Sequence, residues 1–109
     1  MAKTYHLVLD ESDFPGQWID LFDPRFMSQR RFEEAVAAMR AAATNPKATE
    51  QFLRDRISTW NVLDADSGEP LGDPQTADLG GLPLGITKAI SDKIGDLFEA
   101  TIPNRSKSA

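Results

Sequence analysis

The sequence predicts an α+β fold, mostly α: a short N-terminal β-hairpin packed on a bundle of about three helices, with an irregular acidic connector before the last helix. Three observations carry this. Two short apolar and aromatic runs flank Phe14-Pro15-Gly16. Apolar residues then recur at helical spacing in three stretches, around residues 32–43, 52–60 and 86–98. Residues 61–83 hold Asp, Gly and Pro without a regular period.

Thr4-Tyr-His-Leu-Val-Leu9 is bounded by Asp10-Glu-Ser-Asp13 and reads as a strand. Pro15 and Gly16 supply a turn. Gln17-Trp-Ile-Asp-Leu-Phe22 alternates, with Ile19 and Leu21 on one face and Trp18, Asp20 and Phe22 on the other. A hairpin alone is marginal, so it must lie on the helices or a partner. Residues 23–28 connect to a helix over 29–43, which Ser28 is placed to cap. Phe32, Val36, Met39 and Ala43 form its apolar stripe, and five further alanines keep it slim. Asn45-Pro46 stops it. Thr49 is expected to cap a second helix, with Phe52, Leu53, Ile57 and Trp60 as its stripe and Arg54, Asp55 and Arg56 facing elsewhere. Asp73-Pro74 predicts a short helical turn over 74–79, broken by Gly80-Gly81. Leu82-Pro83 opens the last helix, whose Ile86, Ile90, Ile94 and Phe98 recur every fourth residue with Leu97 beside them, and Ile102-Pro103 ends it. Trp18 and Trp60 are expected as core anchors. Phe52, Ile57, Trp60, Ile90, Ile94 and Phe98 are expected in one core. Residues 1–103 read as a single globular domain and 104–109 as a disordered polar tail.

The chain has 109 residues, 40% of them hydrophobic and 27% charged, as in an ordinary soluble domain. It contains no cysteine and one histidine, which excludes disulfides, thiolate chemistry and multi-histidine metal cages. A formal charge of −5 argues against a nucleic-acid footprint. No apolar stretch approaches a membrane span or a secretory signal, so a cytoplasmic location is expected. Charge is unevenly spread. Residues 1–23 carry five acidic groups against Lys3, residues 24–60 seven basic against four acidic, and residues 61–85 five acidic and no basic ones. The cluster Arg25, Arg30 and Arg31 reads as a solvated helix start, with a phosphate or acidic-partner site as the alternative; the dipole there disfavours cations, which points to an acidic segment over it.

Patterns that would signal chemistry are incomplete. Counted from Asp64, the calcium-loop positions for glycine and the bidentate glutamate hold Glu69 and Gln75. Asp64-Ala-Asp66-Ser-Gly68 therefore reads as a polar turn. His6 has no nucleophile or orienting partner at a telling spacing and reads as a strand histidine satisfied by a neighbour. Gly80-Gly81 belongs to neither a dinucleotide fingerprint nor a P-loop. Glu33 and Glu34 are adjacent on a helix and diverge. No enzyme activity and no cofactor are expected.

From Trp60 the chain reads Trp-Asn-Val-Leu-Asp-Ala-Asp-Ser-Gly-Glu-Pro-Leu71, then Asp73-Pro-Gln-Thr-Ala-Asp-Leu79 and Leu82-Pro83. This resembles the tail assembly chaperones of long-tailed bacteriophages, small proteins encoded just upstream of the tape-measure protein. There a helix runs into a Trp, apolar, acidic, Gly, Pro-Leu pattern, followed by a Thr-x-x-x-Leu segment, Leu-Pro and a final amphipathic helix. The N-terminal strands and Asp23-Pro-Arg25 look similar too, so the likeness spans most of residues 5–98. It implies a non-enzymatic protein of the infected or lysogenic host's cytoplasm, absent from the mature virion. Such a protein binds the tape-measure protein and helps recruit tail-tube subunits, with self-association open and neither nucleic acid nor membrane as partner. It also implies a longer frameshifted product, which would diverge within 104–109. Arg25, Arg30, Arg31, Asp64, Asp66 and Leu97 are the residues expected to meet a partner. Helix 29–43 and the stripe of 86–98 either form a partner groove or pack on each other as core. A head–tail connector or tail-completion protein of the virion is the alternative reading, and a regulatory protein directed at a host target is a further one.

Overall fold

In the computed structural model, which describes residues 3–101, the chain runs β1 (Thr4–Val8), β2 (Trp18–Phe22), a 3-10 turn (Pro24–Phe26), α1 (Gln29–Ala42), α2 (Pro46–Arg56), β3 (Ile57–Asn61), a second 3-10 turn (Leu79–Gly81) and α3 (Leu84–Thr101). The expected tail at 104–109 and the helix end at Ile102-Pro103 lie outside the described residues. The α+β, mostly α class holds, with the N-terminal hairpin and three α-helices in place.

The hairpin is extended to a three-stranded antiparallel sheet of order β1-β2-β3. Its register aligns Leu7 with Ile19 and Trp60, and Tyr5 with Leu21 and Ile57. Side chains alternate along a strand, so these residues share one face. Ile19, Leu21 and Ile57 on it are fully buried beneath the helices. The opposite face carries Val8, Trp18, His6 and Asp20, with Val8 exposed. Trp18 is therefore half-buried against the His6 ring, 5.2 Å away, and is not the core anchor expected of it. His6 is satisfied by its cross-strand neighbour Asp20, its Nδ1 lying 2.6 Å from the carboxylate.

The third strand corrects the expected second helix. Phe52, Leu53, Ile57 and Trp60 fit a helical stripe, but Ile57-Ser-Thr-Trp60 is β-branched and aromatic and completes the sheet instead. Ser58 is the extra residue where the register slips between Asp20 and Leu21, a β-bulge at the point where the chain leaves the helix. The helix also begins earlier than expected. Asn45, not Thr49, is its cap: the Asn45 side chain accepts from the Lys47 N–H at 3.0 Å, and Pro46 takes the first position, where a missing N–H costs nothing. Thr49 instead donates its hydroxyl to the Ala42 carbonyl at 2.6 Å, tying α2 to the end of α1.

Ser28 caps α1 as expected, accepting from the Arg31 N–H. Phe32, Val36 and Met39 pack against the core, whereas Ala43 is exposed just past the helix end. In α3, Ile86, Ile90, Ile94 and Phe98 are buried and the helix runs through Gly85 and Gly95 unbroken. Phe32 stacks on Phe98 at 5.4 Å and Phe52 meets Phe98 edge-on at 6.3 Å, so α1, α2 and α3 share one core. Of the two readings of α1 and the 86–98 stripe, the structure favours core packing: Phe32 stacks on Phe98, and Val36 and Met39 pack against the same core. The six residues expected in one core all belong to it.

The connector folds around Trp60. The Trp60 indole N–H donates to the Gly72 carbonyl, which a positive φ of 83° at Gly72 turns inward. Arg54 donates to the Pro74 and Ala77 carbonyls at 2.9 and 2.7 Å, and Gln75 donates to the Arg54 carbonyl at 3.1 Å. The short helical turn expected over 74–79 is a turn at 74–76, where the Asp73 carboxylate accepts from the Gln75 N–H and its carbonyl from the Ala77 N–H. Gly80 and Gly81 do not break an element but lie inside the second 3-10 turn. A Cβ on Gly81 would collide with the Asp64 carboxylate, so only glycine allows this close approach. No helix among the described residues is long and apolar enough to cross a membrane.

Candidate functional site

An open groove of about 770 Å³ lies between the first 3-10 turn, α1 and the end of α2. On α1 it is lined by Arg31, Glu34, Ala35 and Ala38, spaced i, i+3, i+4 and i+7 and hence on one helix face. This is a second use of the helix, beside its Phe32-Val36-Met39 stripe, and it gives Ala35 and Ala38 a place. Ala35 is buried and Ala38 half-buried, so small side chains form the floor. Phe22 and Met27 extend the apolar surface.

Asp23 holds the 3-10 turn at one wall. Its carboxylate accepts from the Arg25 backbone N–H at 3.0 Å and from Arg25 Nη2 at 2.8 Å, and its side chain is 2% exposed. Pro24 follows at the first position of the turn. This puts Phe26 at the groove mouth, 52% exposed, with Lys3 Nζ 4.8 Å and the Arg25 guanidinium 5.4 Å from its ring centre. A large aromatic left in water between two cations is a ready anchor for a partner.

The opposite wall is Asp55 and Arg56. The Arg56 guanidinium lies over the Phe52 ring at 5.2 Å. Its Nε and Nη1 are buried, and neither finds an acceptor among the described residues. Each buried donor without a partner costs about 1–3 kcal/mol. Burial pushes the Arg56 pKa down, Asp55 opposes this, and the nearby positive charge of Arg31 adds to it. Arg31 and Arg56 thus face one groove as two cations, and neither forms an ion pair among the described residues.

Of the residues expected to meet a partner, Arg31 lines the groove and Arg25 borders it through Asp23 and Phe26. Arg30 is exposed on the first turn of α1 outside it. Leu97 packs half-buried against the core. Asp64 and Asp66 sit in the connector, where Asp64 Oδ1 accepts from the Asp66 and Ser67 N–H groups at 2.8 and 2.9 Å. They do not cover the arginine cluster: among the described residues the acidic contact to it is Asp23, on Arg25. Arg56, Phe26 and Ala38 escaped sequence reasoning. The i, i+3, i+4, i+7 spacing from Arg31 was the available signal for the floor, whereas Arg56 is placed by the helix-to-strand switch, which no local pattern shows. Among the described residues no three His, Asp or Glu side chains are grouped to hold a metal ion.

The paired carboxylate of Asp23 makes stability depend on acid. Hydrogen bonding from Arg25 holds the Asp23 carboxyl below the usual carboxylate range against the opposing effect of burial. The Ser12 hydroxyl does the same for Asp10, and the Ser67 and Asp66 N–H groups for Asp64. The folded state then binds fewer protons than the unfolded one, so this stabilisation is complete above about pH 4 and is lost as pH falls through the lowered values. Asp23→Asn is expected to cost about 1 kcal/mol at neutral pH, limited by screening around Arg25, which is 60% exposed. It should also flatten the acid limb of a pH series of urea titrations. An unchanged acid limb would show that Asp23 does not carry it.

The site thus defined is an open groove with a small apolar floor and a charged rim on a small α+β domain. No family model, no curated protein and no solved structure matches the chain.

Proposed function

We propose that this protein is a tail assembly chaperone of a long-tailed bacteriophage. It acts without catalysis, in the host cytoplasm, by binding the tape-measure protein and helping to recruit tail-tube subunits. The observation that supports this beyond the motif likeness is the groove, whose narrow apolar floor of Ala35, Ala38, Phe22 and Met27 is rimmed by Lys3, Arg31, Glu34, Asp55 and Arg56. An amphipathic helix lays its apolar face into such a groove and its polar flanks on the rim. A chaperone that must leave the finished particle needs a modest interface of this kind, because large apolar interfaces characterise permanent complexes.

Co-expression with the tape-measure protein of the same phage, followed by mass spectrometry of purified particles, tests the reading. Capture by the tape measure with no chain in the virion is the expected result. The chain at fixed stoichiometry in the virion would make it a connector or tail-completion protein. Within this reading Phe26→Ala is expected to weaken capture about tenfold, corresponding to about 1.4 kcal/mol, while the melting temperature stays nearly constant. Equal capture by the variant would remove Phe26 from the interface.

A further inference from the structure

We infer that two copies of this chain pair through the outer edge of β1, antiparallel about a two-fold axis at His6, so that their sheets join into one. The inference does not depend on the chaperone reading.

The ladder defines the edge. The Leu9 N–H donates to the Gln17 carbonyl at 3.2 Å and the Asp23 N–H to the Lys3 carbonyl at 3.1 Å, so the odd-numbered residues here face β2. Alternation turns the N–H and C=O groups of Thr4, His6 and Val8 away from the sheet. No backbone group from elsewhere among the described residues bonds to them. The far side of the sheet differs, because the connector runs along it. Gln75 Nε2 donates to the Ile57 carbonyl at 3.4 Å, and the Leu71 N–H to the Val62 carbonyl at 3.0 Å. Exposed edges are commonly guarded by Lys, Pro or a bulge within the strand. Thr4–Val8 holds no Lys or Pro, and the bulge lies on the other ladder.

The face beneath this edge is also unfinished. Ile19, Leu21 and Ile57 are fully buried on the inner face, yet Tyr5 and Leu7 beside them are half-buried. From α3 the cover over Tyr5 is Lys93, whose Nζ stands 5.0 Å from the ring centre. On the outer face Val8 is exposed.

A second copy suits the edge because the strand is complementary to itself. Pairing with His6 on the axis overlaps all of Thr4–Val8, setting Thr4 against Val8, Tyr5 against Leu7 and His6 against His6 across the junction. The half-buried Tyr5 and Leu7 then cover one another, and Val8 gains a β-branched neighbour. The even-numbered residues become the hydrogen-bonded pairs, as their outward groups require. Charge selects the direction. Lys3 precedes the strand, and Asp10, Glu11 and Asp13 follow it. Antiparallel pairing sets Lys3 beside the second copy's Leu9 and Asp10, whereas parallel pairing sets like charges together. The contact is isologous and small, so a reversible dimer is expected.

The test is sedimentation velocity of the full chain from about 1 μM to about 1 mM, over which the mass is expected to double. Amide hydrogen exchange at Thr4, His6 and Val8 should slow with concentration, while Tyr5 and Leu7, already in the ladder, change less. Val8→Pro removes an N–H that faces away from the sheet and should weaken association about tenfold. His6→Lys keeps a donor for Asp20 but sets two like charges across the axis, and should weaken it about fivefold. Both variants are expected to melt near wild type.

A chain that stays monomeric throughout, with exchange unchanged, overturns the inference. A dimer that both variants leave intact overturns the edge assignment and the inference with it. Slowing at Thr4, His6 and Val8 that requires another protein, and not concentration, would give the edge to a foreign strand and overturn the second copy as its occupant. Tape-measure capture bears on none of these outcomes, so the chaperone reading stands or falls separately.

Discussion

Trp60→Ala is expected to unfold much of the population at physiological temperature, at a cost of about 3–5 kcal/mol. Domains of this size have about 5–15 kcal/mol in total, so the loss is a large share. Two effects add. The ring fills the inner face of β3 opposite Ile19, where its removal leaves a cavity that buried neighbours cannot easily close. The Gly72 carbonyl also loses its donor, and with it the connector loses its attachment to the sheet. Trp60→Phe separates the two by keeping most of the volume and removing only the N–H, and should cost about 1–2 kcal/mol. Chemical denaturation of both variants decides the matter. A near-unchanged midpoint for Trp60→Ala would show that the connector does not depend on this side chain.

Ile90→Ala is expected to cost about 2–5 kcal/mol, and Leu97→Ala on the same helix under half as much. Ile90 is fully buried in the middle of α3, within a stripe that meets the sheet and both other helices through the common core. Leu97 is only half-buried at the edge of that core. Equal destabilisation by the two would mean that α3 turns a different face inward. The pair also bears on the expected partner residues. A Leu97 variant that melts near wild type but loses tape-measure capture would place the partner surface on α3 and away from the groove. The groove reading instead expects Leu97→Ala to leave capture unchanged.

Much of the architecture was legible in the residues because it depends on local periods and local chemistry. The alternation of Ile19 and Leu21 identifies a strand face, and the four-residue spacing of Ile86 to Phe98 identifies a buried helix stripe. Ser28 can cap only the helix that starts directly after it. The Asp64 turn finds its partners within three residues, whereas His6 is satisfied across the hairpin by Asp20.

The candidate site was less legible, since its walls come from three separate elements. Arg31 stands out in the sequence as part of a basic cluster. Arg56 does not, because a helix continued through to Trp60 turns it away from the apolar stripe. Once Ile57 begins a strand, the last helical residue is held between Phe52 and the groove.

Local pattern alone was enough for the class of fold, the hairpin, the buried stripe of α3 and the Ser28 cap, whereas the cap of α2 was misplaced at Thr49. Three features came from the packed fold: Ile57–Asn61 joins the sheet, Trp18 faces outward while Trp60 faces in, and α1 has a second face lining a groove. All three depend on contacts between elements far apart in the chain, the first most plainly. A short apolar run satisfies helix and strand periods equally, and what selects between them is a hydrogen-bonding edge on β2 waiting for a partner strand, a non-local term that no window of the chain contains.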